Sequence, residues 1–237
     1  MGYHQGKMSE PLYVPDFRKF TLREMLDHAP SPWIGIMGFL LSRFGLINSD
    51  QGQPAPNPLS EDLAPFEHLP EVHQEGVLNA SQKLEKLGFE RLTFMHNPKF
   101  PEVSGAYLLH QNRQLVAFVA VAKNPAPAGG KASLKEVFSL LGFMPDGHCF
   151  SVTTAPFLQV PHITRVHVRD GKPEGLLKLL ERQVQGKTLR SFQSLSEIEE
   201  VMDDMSMRSH RSLVQRGVRK MLPQNPKAEE APEAEEN

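Results

Sequence analysis

Apolar residues recur at helical spacing in some stretches of the chain and at strand spacing in others, and the change of rhythm marks out its organisation. Thr21 with Glu24 three residues later has the form of a capping box, and Leu22, Met25 and Leu26 supply a short apolar helical face that Pro30 and Pro32 stop. The most apolar stretch follows, Trp33 to Ile47 (WIGIMGFLLSRFGLI), broken by a single charge at Arg43. As a helix it reaches only about 22 Å, against about 30 Å for a hydrocarbon core, so it is too short to span a bilayer. Prolines and glycine then crowd Asn48 to Pro58, which reads as a linker, and the texture becomes that of a globular domain from Ser60 onward.

Within that domain, Val77, Ala80, Leu84 and Leu87 predict a helix ended by Gly88, with Phe89 folding back onto Leu84. The same grammar recurs at Ser133 and Glu136, where Leu134, Val137, Phe138 and Leu141 predict a second helix closed by Gly142 and Phe143. Shared capping chemistry accounts for the repeated Leu-Gly-Phe without an internal duplication. Strands are predicted over 89–96, 105–111, 114–123, 148–155 and 163–168, with Asn112-Arg113 as a tight turn between the second and third. Pro173 opens a helix carrying Leu176, Leu177, Leu180 and Val184 and ending at Gly186. Ser194 and Glu197 cap a last helix, which the apolar positions Ile198, Val201, Met202, Met205, Leu213, Val214, Val218 and Met221 carry to Pro223. Few helices separate consecutive strands, so the expected class is α+β, with about five mainly antiparallel strands and helices packed on one face. The expected units are an N-terminal arm (1–58), a globular domain (59–222) and a disordered acidic tail (223–237) too poor in apolar residues to pack.

Composition narrows the classes of function. The single cysteine excludes an intrachain disulfide and any zinc site needing two thiolates, and a reducing, cytoplasmic setting is expected. With a formal net charge of −2 there is no global field that would select nucleic acid or an anionic membrane, and nucleic acid is disfavoured as a partner. The opening MGYHQGKMSE has neither the apolar run nor the cleavage site of a secretory signal, and Gly6 stands where a myristoylation motif needs Ser or Thr.

Candidate chemistry is sparse. His148 and Cys149 are adjacent on a predicted strand and so face opposite ways, His162 and His167 show no metal spacing, and Asp203-Asp204 reads as an exposed turn. No catalytic residue, metal ligand or cofactor is assigned. Gly129, Gly130 and Lys131 precede a predicted helix start, where backbone N–H groups attract an anion, although the P-loop pattern is absent. The succession of helix, hairpin, glycine loop and helix over residues 76–141 resembles the acyl-CoA N-acyltransferase arrangement. That resemblance implies a transferase holding its cofactor at Gly129-Gly130, yet the family's Arg/Gln-x-x-Gly-x-Gly/Ala pattern does not occur between Lys123 and Leu134.

Two other features point to binding. Trp33, Ile34, Ile36, Met37, Phe39, Leu40, Leu41 and Phe44 form a segment suited to a membrane interface, a partner's groove or the seam of a homo-oligomer. Arg208, Arg211, Arg216, Arg219 and Lys220 fall on one half of the predicted last helix and could bind an anion, with the acidic tail as a competing screen. The expected function is therefore a non-enzymatic binding or scaffold module, peripheral to a membrane or attached to a protein, with the transferase as the alternative.

Overall fold

The computed structural model describes residues 11–44, 46–47, 52–97, 101–124 and 133–222. In chain order they form β1 (Leu12–Pro15), α1 (Leu22–His28), α2 (Pro32–Arg43), β2 (Gln53–Pro54), α3 (Leu59–Asp62), β3 (Leu63–Ala64) and α4 (Glu71–Glu85). There follow β4 (Phe89–His96), β5 (Val103–His110), β6 (Leu115–Asn124), β7 (Ser133–Phe143), β8 (Cys149–Thr153), β9 (Ile163–His167), α5 (Pro173–Val184), α6 (Leu195–Gln215) and β10 (Arg219–Met221). The acidic tail and the 125–132 loop lie outside the described residues.

The class is α+β, with more sheet than the sequence pattern suggests. Strands β3 to β9 lie side by side in sequence order, antiparallel throughout except for the final parallel pair β8 and β9. A second, three-stranded sheet has the order β10-β1-β2. The large sheet is covered on both faces rather than on one. Alternate residues of β5 and β6 explain this: Ala106, Leu108, Ala117 and Val119 join α4 and α5 in one core, while Tyr107, Leu109 and Val116 join α6 in the other. LVAFVAVA is thus a strand buried on both sides.

The largest correction concerns residues 133–143, which form β7 and not a capped helix. Strand β6 already pairs with β5 on one side, and its other row of backbone donors and acceptors needs a partner. Residues Ser133 to Gly142 provide it in an unbroken antiparallel register running from Asn124↔Ser133 to Leu115↔Gly142. The period is two: Phe138 and Leu140 enter one core, Leu141 and Phe143 the other. Gly142 is no helix terminator here; a Cβ on it would touch Leu189 and Val184 at 3.4 Å.

The last helix is also shorter than its apolar rhythm implies. It stops at Gln215, Gly217 takes a left-handed φ of +70°, and the chain turns into β10, which pairs with β1 from Tyr13↔Met221 to Pro15↔Arg219. By contrast Gly88, at φ +87°, ends α4 as expected, with Leu84 and Phe89 in the same core.

The N-terminal segment is knitted into this frame. Asp16 donates its backbone N–H to Val218 and places its carboxylate 2.6 Å from Lys220 and 3.0 Å from Arg18. Glu24 is fully buried: it completes the α1 capping box with Thr21, accepts from the Gln159 N–H at 2.7 Å and meets the Arg216 guanidinium at 3.1 Å. Burial disfavours its charge, but the N–H groups of Thr21 and Gln159, the Thr21 side chain and Arg216 together hold its carboxyl below the usual range.

Replacing Glu24 with Ala leaves Arg216 uncompensated and is expected to cost about 3–5 kcal/mol, seen as a lower urea midpoint. Because the folded pKa is depressed, this stability is fully present above the ordinary carboxylate range and is lost as pH falls through the lowered value. That acid-side component should be missing from the pH profile of Glu24→Ala.

Candidate functional site

Helix α1 starts at the Thr21–Glu24 box and α2 at Ser31, whose hydroxyl caps Ile34, with Pro32 preset for the first turn. The two helices pack through small residues. A Cβ on Gly35 would lie 2.9 Å from the Leu26 Cα, and one on Gly38 would lie 3.1 Å from the Met25 side chain. Ser42, one turn further on, is buried and donates to the Phe39 carbonyl at 2.8 Å. Helix α2 therefore turns its smallest residues toward its own protein.

Its large residues point the other way. Trp33 and Phe44 are each 76% exposed, and Ile34, Met37, Leu40 and Leu41 form an exposed stripe between them. Ile36 and Phe39 are half-buried at its borders. Arg43 does not break the stripe, because its guanidinium donates back to the carbonyls of Arg18 at 2.6 Å and Phe20 at 3.3 Å and lies over the Phe39 ring.

The basic candidates near the C-terminal end are not brought together on one helical face. Arg219 and Lys220 belong to β10, so only Arg208 and Arg211 lie within α6, with Arg216 as its cap. Arg208 binds Asp204 at 2.8 Å and the Gly147 carbonyl, Arg216 binds Glu24 and the Gln159 carbonyl, and Lys220 binds Asp16. Arg211 donates to the Met207 carbonyl at 3.4 Å and Arg219 to the His210 ring at 3.1 Å. Gly129, Gly130 and Lys131 lie outside the described residues; the element after them is strand β7, so the helix dipole proposed to attract an anion, and the transferase resemblance built on it, have no helix to act through.

His148 and Cys149 diverge. The histidine bonds Thr164 at 2.9 Å, whereas the thiol is buried in the α6-side core, where burial pushes its pKa up to about 12. Asp203 is not part of an exposed turn: it sits mid-helix on α6 and accepts from the Leu59 N–H at 2.6 Å, capping the start of α3. Among the described residues no group of three or more His, Cys, Asp or Glu is placed to hold a metal ion, and no helix is long and apolar enough to cross a membrane.

Sequence reasoning missed a half-open cavity of about 460 Å³ between α6, the 156–160 loop and the large sheet. Arg165 of β9 and Arg219 of β10 reach it, together with Tyr107 and Ser209. An arginine on a short strand next to valine and isoleucine carries no motif, so only its placement identifies it.

The glycine contact that orients α2 is directly testable. Gly35→Ala is expected to push α2 off α1 and destabilise the hairpin by about 1–3 kcal/mol. Hydrogen exchange should then quicken in α1 and α2 and stay unchanged in β5 and β6. Comparisons with protein-family models, with curated proteins and with solved structures find no match to this chain.

Proposed function

We propose that this protein is a non-enzymatic docking module that attaches peripherally to a membrane surface bearing anionic lipid, through the outer face of α2. One observation carries the reading. A helix that buries glycine and serine while presenting Trp33, Ile34, Met37, Leu40, Leu41 and Phe44 to solvent is oriented for something outside its own fold.

Charge favours a lipid interface over a protein groove. Each acidic side chain of residues 11–47 already meets a group of its own protein: Asp16 meets Arg18 and Lys220, Glu24 meets Arg216, and one oxygen of Asp27 meets His167 at 3.3 Å. Lys19 and Arg23 are exposed beside them with no carboxylate partner among the described residues. An apolar stripe on α2, with exposed basic residues on the segment that leads into it, supplies the two attractions that an anionic lipid surface offers. Trp33 at the start of the helix is a residue suited to the headgroup layer.

Trp33 is the only tryptophan, so its fluorescence reads the docking face directly. Vesicles of phosphatidylcholine with phosphatidylglycerol are expected to shift its emission to the blue and to pellet the protein. Each neighbouring basic residue contributes about 1 kcal/mol near such a surface, so Lys19→Glu with Arg23→Glu should weaken binding at least about tenfold. Phe44→Ser should weaken it without altering the fold. Absence of both signals overturns the membrane reading; a dimer by light scattering that Phe44→Ser dissociates would instead assign the face to a second copy.

A further inference from the structure

We propose that the cavity under α6 is a binding site for a small organic anion, whose carboxylate or phosphate group pairs with the guanidinium of Arg165. This goes beyond the docking reading and does not depend on it.

Arg165 stands on the edge strand β9 with Ile163 and His167 on the same face, as strand alternation requires. His167 is turned to Asp27 on α1 and Ile163 packs in the apolar clusters, but Arg165 has no such partner. Its Nε is enclosed and has no hydrogen-bond acceptor, and among the described residues its guanidinium makes no ion pair. The ring of Phe157 lies 4.8 Å from the guanidinium carbon. An aromatic ring over one face leaves the in-plane N–H donors open, and those donors match the two oxygens of a carboxylate or phosphate. Burial pushes Arg165 below its ordinary pKa and does the same to Arg219, with no carboxylate opposing either shift. Removing an unpaired cation even partly from water costs free energy, so a half-buried guanidinium with an enclosed, unsatisfied Nε is a candidate for a ligand of opposite charge.

The rest of the cavity shapes the ligand. Its volume of about 460 Å³ suits a metabolite-sized molecule. Two carboxylates also line it: Asp203 accepts from the Leu59 N–H, and Asp62 from the Asn97 amide at 2.7 Å. Asp62 precedes β3, which lies at the opposite edge of the sheet from β9. Both carboxylates thus have donors of their own, which leaves the Arg165 guanidinium as the group for an incoming anion.

The probes are inorganic phosphate and succinate, titrated into the full chain without lipid against sodium chloride of equal ionic strength, with Tm as the readout. One of the two is expected to raise Tm saturably, as any ligand specific for the native state must, and which one does so distinguishes a tetrahedral from a planar group. Arg165→Met keeps the bulk of the side chain and removes the charge. It should weaken binding about tenfold or more while leaving the ligand-free Tm unchanged or higher. The proposal is overturned if neither anion exceeds the chloride control, a result the unmodified protein delivers even should the variant not fold. It is equally overturned if Arg165→Met keeps the full shift, since the anion would then bind elsewhere.

Discussion

The buried carboxylate of Glu24 is the contact on which the placement of the N-terminal segment depends. It closes the first turn of α1, receives the Gln159 N–H from the connection between β8 and β9, and pairs with Arg216 where α6 ends. Three parts of the chain far apart in sequence thus share one anionic centre. A charge so placed costs desolvation, which is offset only because every contact is made at once; that interdependence makes the arrangement specific. The pose of α1, hence of α2, and the wall of the cavity beside residues 156–160 follow from it.

The two functional readings rest on local departures from the rules that the rest of the molecule obeys. Around β5, β6 and β7 the apolar residues face inward and the backbone is paired on both sides. Helix α2 inverts the burial rule and Arg165 breaks the pairing rule for charges. A fold that satisfies its constraints almost everywhere and violates them at a surface stripe and beside a cavity makes those two places the ones on which both proposals rest. One departure supplies an apolar face without a partner, the other a cation without an anion, so they concern different chemistry.

Much of the architecture was legible because its signals are local. The capping box at Thr21, the Ser194 cap, the terminating Gly88 and Gly186, the Asn112-Arg113 turn and the branched strands each act within a few residues of themselves. Ser133 to Phe143 was misread for the same reason. Its capping residues sit at helix-compatible spacing, and nothing inside the segment discloses that β6 lacks a second neighbour. The basic stripe dissolved in the same way, since Gly217 and the pairing of β10 with β1 redirect Arg219 and Lys220.

Sequence alone determined the α+β class, most helix ends and the identity of Trp33 to Phe44 as a segment of exceptional apolarity, since periodicity, caps and composition are properties of neighbouring residues. Tertiary structure decided that β7 is a strand, that both faces of the sheet are covered, that α2 turns its glycines inward and that Arg165 meets a cavity without an ion-pair partner among the described residues. Those outcomes depend on which backbone row is unpaired, which surface is already covered and which charge is already neutralised. These are relations between distant parts of the chain, and they come into being only when it closes on itself.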